Sequence, residues 1–339
     1  MSATESTVVD CQNLDEAIDK YTTRLGYRLD MIMPADAPRE ALLSKKSEPP
    51  AVAGGLTHDV NEQEQTRRTH FVRLICENAN LQPPATAGGF DWVTGRAGME
   101  YRDLIPGRLG GKVIASHIRL TKGGVVPDYV HYHKVDFQMI YCKRGRIRVV
   151  YEDQGPPFWL ETGDCVLQPP EIRHRVLECT AGAEVIEVSM PAEHETWVEH
   201  EIELPNVTVD SERTFNGQRF AHRKFSELRS VKAYHDEIRD FDLAFASDNF
   251  VNVQHISFAD EAEVLETGGM AGVSQFYFIL EGFVNVRCGQ KVLDHDSSED
   301  ADYTMGDSFT IPPQTLTKIM CSGETEILAV AMNMAAIAV

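Results

Sequence analysis

The stretch His131–Gly145, HYHKVDFQMIYCKRG, decides how the rest of the chain is read. It has the look of a β-strand pair, and side chains at i and i+2 of a strand share one face. His131 and His133 therefore project together. A second stretch, Gly163–His174 (GDCVLQPPEIRH), ends on another histidine, in a separate strand beyond the turn PPEIR. If the sheet closes on itself, His174 can bring a third imidazole to the same point. Three imidazoles leave open positions on a transition metal, as a catalytic site requires and a closed structural site does not. Only these three of the 12 histidines fall in the two stretches, so spacing carries the signal rather than abundance.

Working outward, the same pattern comes round again. YRDL (101–104) answers IRDF (238–241), HIRL (117–120) answers HISF (255–258), Gln138 answers Gln275 and Gly145 answers Gly282. GDCVLQPPEIRH (163–174) answers GDSFTIPPQTLT (306–317), displaced further by an acidic insertion around LDHDSSEDAD (293–302). Shared spacing in several blocks points to a duplicated domain. Short alternating runs separated by turns such as PGRLGG, KGG, KRG and DQGPP make both copies all-β.

Gly124-x6-His131-x-His133-x4-Gln138-x6-Gly145, followed by Gly163-x5-Pro169-x4-His174, resembles the two motifs of the cupin superfamily. The resemblance covers roughly residues 90–339 as two barrels. It implies a mainly β fold, a bicupin preceded by a small α+β segment. The expected units are 1–80, a segment with linker; 90–200, a metal-binding barrel; and 201–339, a degenerate barrel without metal. By the same resemblance His131, His133 and His174 are metal ligands, holding one divalent transition metal per chain: Fe(II), with Zn, Mn or Ni as alternatives. Gln138 stands where the family usually has Glu. An amide leaves the full 2+ charge on the ion, which favours an anionic, chelating substrate. Gln138 either acts as a weak oxygen ligand or donates a hydrogen bond that orients substrate or oxygen. At the matched positions the second copy has Gly268, Met270, Gln275 and Thr317, a poor donor set for such a cation.

The N-terminus is different in kind. NLDEAIDKYTTRLG (13–26) places Leu14, Ala17, Ile18, Tyr21 and Leu25 on one helical face, with Asn13 as N-cap and Gly26 at the end. YRLDMIMP then reads as a strand, and HFVRLICEN (70–78) as a further one. Residues 7–45 resemble the opening βα unit of the vicinal-oxygen-chelate (glyoxalase-like) superfamily, without that family's histidine ligands. Two polar, Pro/Gly-rich stretches, 46–68 and 81–89, read as linkers.

Composition excludes some partners. The formal charge of −20 opposes nucleic acid and anionic membranes, since both attract basic surfaces. The 7 scattered cysteines, an odd number without CxxC spacing, fit a reducing, cytoplasmic setting, and the first residues show no secretory pattern. The apolar C-terminal stretch ILAVAMNMAAIAV is too short to span a bilayer. It offers a surface for a homodimer. Among softer pocket candidates, Arg102 or Arg119 can clamp a carboxylate, although Arg102-Asp103 is matched by Arg239-Asp240 and so reads as a structural ion pair. Glu171 is a candidate base or a partner for an imidazole N–H, although its counterpart Gln314 marks it as a turn residue. Tyr141, the other candidate base, and Cys142 read as core residues, and His117 is a further pocket residue.

The expected function is that of a metal-dependent enzyme on a small-molecule substrate. The first reading is an Fe(II) dioxygenase of a small anionic or enolisable compound, aromatic compounds included. The alternatives are a metal-dependent lyase or isomerase, which needs a general base that Gln138 cannot be, and a regulatory protein that binds metal or a small ligand without turning it over.

Overall fold

The computed structural model describes residues 6–46, 69–76, 92–105, 107–233, 236–259, 263–268, 271–289, 299–321 and 323–336. Both expected linkers, apart from Lys46, and Met270 lie outside these residues. Among the described residues no helix is long and apolar enough to cross a membrane.

Two β-barrels form, as the duplicated pattern implies. In the first, one wall is a seven-stranded sheet running Ala221–Arg223, Cys165–Gln168, Phe137–Arg144, Ala183–Met190, Ile114–Leu120, Glu100–Asp103 and Val93–Thr94. The opposite wall runs Phe158–Glu161, Arg146–Tyr151, His174–Cys179 and His131–His133. The second barrel repeats the plan. Ser230–Ala233, Asp236–Asp240, Val251–Phe258, Thr325–Asn333, Val273–Glu281 and Ser308–Ile311 face the sheet of Glu263–Gly268, Leu316–Cys321, Phe283–Gly289 and Glu299–Thr304. The sheets part later than the expected boundary at 200/201. Ala221–Arg223 still pairs with Cys165–Gln168 of the first barrel, and the second begins at Ser230.

Alternation along the strands sorts each side chain to one of two cores. On Phe137–Arg144 the odd positions Phe137, Met139 and Tyr141 pack between the barrels, against Phe276, Phe278, Val253 and Leu328. Ile140 and Cys142 turn into the first barrel, beside Val149, Leu160 and Val166. Tyr141 is thus a core residue between the barrels, away from the barrel interior. The hairpin after this strand turns on Gly145 (φ 72°), and its counterpart Gly282 has φ 88°. A Cβ there would meet Thr180 Oγ1 and Glu324 O, each at 2.5 Å, so both turns require glycine.

The N-terminal unit is a βαβββ module. Asn13 Oδ1 accepts from Glu16 N at 3.1 Å and caps the helix Leu14–Asp19. The helix continues through Lys20–Arg24, where the hydrogen bonding widens to the π form. The strands Ser6–Asp10, Thr69–Ile75, Glu40–Lys46 and Arg28–Met33 follow in spatial order. This module does not stand apart from the barrels. Ile32 pairs with Thr196, and Thr196 pairs on its other side with His133, so one sheet runs from the module through Thr196–Val198 to the first barrel.

Candidate metal centre

His131 and His133 face the same side of the strand His131–His133, and His174 lies directly opposite His131 on the neighbouring strand. All three are buried, and their ligand atoms lie within 4.8 Å of one another. Their ring orientations follow from what holds each Nδ1. His131 Nδ1 lies 2.8 Å from the carbonyl of Tyr129, and His174 Nδ1 lies 2.9 Å from the carbonyl of Ile172. A carbonyl only accepts, so in both rings Nδ1 carries the proton and Nε2 the lone pair. His133 Nδ1 is held at 2.9 Å by Thr196 Oγ1. Burial pulls the His174 pKa down to about 4. Burial also lowers His131 well below the usual range, with help from Arg96, and likewise His133, with help from His174 and His194. Three neutral imidazoles with tethered Nδ1 atoms are the donor set a divalent transition metal takes.

Several residues at this centre carry no sequence motif. Arg96, on the short turn Arg96–Gly98, donates from Nη2 to His131 Nε2 at 3.0 Å. Its Nη1 is engaged by the fully buried Asp128 carboxylate. Burial alone would lower the Arg96 pKa, but Asp128 together with Tyr101, Tyr129 and Glu187 outweighs it, and the guanidinium stays charged. A cation is thus placed against the Nε2 of His131. His194 is a fourth imidazole, 5.3 Å from His133 between ring centroids. Its Nδ1 is held by Pro191 O at 3.0 Å, and its buried Nε2 has no partner.

Gln138 turns inward, as its parity requires, and is 1% exposed. Tyr151 donates to Gln168 Oε1, and Gln168 Nε2 donates to Gln138 Oε1 at 2.8 Å. The oxygen offered to a metal in the weak-ligand alternative is therefore occupied, and Gln138 presents its amino group. That Nε2 and the nearby Ser189 Oγ are both buried without a hydrogen-bond partner. Both are directed at Glu187, on the inward face of Ala183–Met190. Burial pushes the Glu187 carboxyl up to about 7, against the opposing pull of Gln138 and Arg96. Glu187 had one legible signal: in AEVIEVSM it is a charged residue at the same parity as the inward Val185.

Other candidates lie elsewhere. Glu171 is exposed at φ 60°, and its counterpart Gln314 has φ 62°, so both serve the turn. Asp103 pairs with Arg108 rather than Arg102. Arg102 instead donates to Gly306 O of the second barrel at 2.6 Å and lies 3.3 Å from His117 Nδ1. Arg119 pairs with Glu100 and lies over the Trp92 ring. His117 and these two arginines thus lie on the face of the first barrel's sheet turned away from its interior, with His117 and Arg102 against the second barrel. In the second barrel Thr317 is buried and Gln275 half-buried.

Residues 116–189 match the family model described as the cupin domain. No curated protein matches the sequence. Solved structures similar to the chain include an oxalate decarboxylase from Lactobacillus farciminis in complex with formate, 14% identical, covering 73% of this chain and 84% of that one with a TM-score of 0.55. A deletion mutant of the Bacillus subtilis oxalate decarboxylase is 13% identical, covers 74% of this chain and 75% of its own, and has a TM-score of 0.54. Another structure of the Bacillus subtilis enzyme, from a study of its Mn(II) centres, is 13% identical over 71% and 74% of the two chains, with a TM-score of 0.52. At such identity the likeness is one of fold.

Proposed function

We propose, from the premise that this chain carries a cupin domain and folds as a bicupin, that its first barrel is a metal-dependent lyase site for a small carboxylate. The observation that carries the reading is the set of three Nδ1-tethered, neutral imidazoles, with the half-buried Arg96 guanidinium on His131 and, near that arginine, a carboxyl that burial raises to about 7. His131, His133 and His174 would hold one divalent ion through Nε2. When bound, such an ion supplies Lewis-acid polarisation of a substrate oxygen with its charge undiminished by any acidic ligand.

The remaining work falls to this chain's side chains. Arg96 donates to His131 Nε2 here, and on releasing that nitrogen to an ion its Nη2 would be left to meet a substrate carboxylate. Gln138 Nε2 and Ser189 Oγ have unfilled hydrogen-bonding capacity to fix the substrate's orientation. Glu187, with its pKa near 7, holds a proton at the pH where it must also be able to release one. In a decarboxylation the carbon–carbon bond breaks and CO2 leaves. The electron pair left on carbon takes the Glu187 proton, and solvent reprotonates the carboxylate. The metal-binding unit keeps the N-terminal module beside it through Thr196, whose hydroxyl orients His133.

A second reading is an Fe(II) dioxygenase of a small anionic or enolisable compound. It is favoured by the wholly neutral ligand set, since among the described residues no carboxylate joins the cluster of three histidines. Elemental analysis of anaerobically purified protein, followed by CO2 release and O2 uptake assays, separates the readings. Small carboxylates including oxalate, the substrate named for the decarboxylases of similar fold, form one half of the panel; catechols, hydroxybenzoates and β-diketones form the other. CO2 release without O2 uptake supports the lyase. O2 uptake supports the dioxygenase. Metal-loaded protein inert to the whole panel would turn the proposal toward a regulatory binding protein.

A further inference from the structure

Strand register superimposes the two barrel interiors residue by residue. Gln138 and Ile114 lie opposite Ser189, while Gln275 and Asn252 lie opposite Ala331. Ser116 lies opposite Glu187, and Gln254 lies opposite Ala329. The second barrel has therefore replaced the inward Glu187 and Ser189 by two alanines. It has also replaced Ile114 and Ser116 by two amides. The loss of bulk at one wall and the gain of polarity at the next coincide with a cavity of about 130 Å³. Its lining includes Asn252, Gln254, Gln275 and Tyr277 over an apolar floor of Ile238 and Ile256.

The orientation of the amides is determined chemically. Asp240 Oδ2 accepts from Asn252 Nδ2 at 3.0 Å and from Gln254 Nε2 at 2.8 Å. A carboxylate has no proton to give, so both NH2 groups must face it and both amide oxygens must face away. Gln275 Oε1 is buried and has no hydrogen-bond partner. Among the described residues no lysine, arginine or histidine lines the cavity. The site thus combines three amide oxygens with a carboxylate behind two of them, an acceptor-rich lining that repels anions. Such oxygens suit a hard, weakly charged cation or N–H donors rather than a transition metal.

We propose that the cavity of the second barrel is a binding site for a small monovalent cation, an ammonium or primary alkylammonium group or an alkali ion, held by the side-chain oxygens of Asn252, Gln254 and Gln275. It is chemically the inverse of the first barrel, which is built for an anion, so the two barrels do not bind the same compound. Ala329→Leu fills the cavity with an apolar side chain, and Gln275→Leu removes the unpartnered oxygen. Asp240→Asn removes the charge at constant size.

The test measures the thermal midpoint of the intact protein and titration calorimetry with methylammonium chloride and with potassium chloride. Tetramethylammonium chloride, which has no N–H and is too bulky, holds ionic strength constant. A saturable rise of about 2–5 °C with methylammonium or with potassium supports the site, and which salt acts identifies the source of the charge. The rise should vanish in Ala329→Leu and Gln275→Leu, and affinity should fall at least about tenfold in Asp240→Asn. Circular dichroism of each variant without ligand shows that it is folded, and any one folded variant suffices. Stabilisation no greater than with tetramethylammonium, or a rise that survives in the folded variants, would overturn the proposal.

Discussion

The Nδ1 of His131 and of His174 each donates to the carbonyl two residues earlier in its own chain, so the ring direction is set locally and survives without a bound ion. Replacing a ring is then expected to remove the centre rather than rearrange it. His174→Ala should abolish stoichiometric metal binding, measured by elemental analysis after dialysis. Glu187→Gln tests a different role, because it keeps shape and polarity but cannot carry the proton. Metal content should stay unchanged while turnover falls about 10²-fold or more. The same residue predicts a stability profile. Its carboxyl is raised from the ordinary value to about 7 in the folded protein, so between these values the unfolded chain releases a proton that the folded one keeps. This contribution is fully present at acid pH and is lost as pH rises from about 4.5 to about 7. Denaturant midpoints of Glu187→Gln should lack that decline. The signal for Glu187 was present in the strand pattern, whereas Arg96 and His194 lie outside the motif strands, with no periodicity to single them out.

At the scale of elements, the strand Thr196–Val198 joins the N-terminal module to the strand that bears two of the histidines. Thr196 is fully buried, and its hydroxyl holds His133 Nδ1 at 2.9 Å. Thr196→Val keeps the volume and the β-branched shape but leaves that nitrogen without a partner. Metal affinity should fall about 10–100-fold, read by competition with a chelator, while the sheet remains. The N-terminal elements themselves were legible: the capped helix and the flanking strands follow from local chemistry. Their attachment to the barrel was not, because edge-to-edge pairing depends on which strand edges are left open after folding.

At the scale of the molecule, the largest apolar core lies between the barrels rather than within either one. Phe278 is fully buried there and meets the His117 ring edge-on, 5.6 Å between centroids. Phe278→Ala should cost about 3–5 kcal/mol of stability in chemical denaturation without loss of metal from the folded protein. His117 adds a pH term to the same interface. Burial lowers its pKa to about 4, outweighing the attraction of Glu184. Between pH about 6.5 and 4 the unfolded chain binds a proton that the folded one refuses, so stability is full above pH about 6.5 and falls on acidification. His117→Gln should flatten that acid limb of the denaturation midpoint.

The sequence by itself determined the duplicated β architecture and the three inward histidines. The motif spacing also placed Gln138 at the position where the family usually has Glu. These follow from period-2 alternation and turn glycines, which are local and read directly along the chain. Only the tertiary structure decided the rest. It left Gln138 its amide nitrogen to donate by occupying its oxygen, brought Arg96 to His131, and brought Glu187 beside Gln138 and Ser189. It also opened a cavity in the second barrel where two alanines replace a glutamate and a serine. Those outcomes depend on register between strands distant in sequence, and on hydrogen-bond partners that exist only once the barrels have closed.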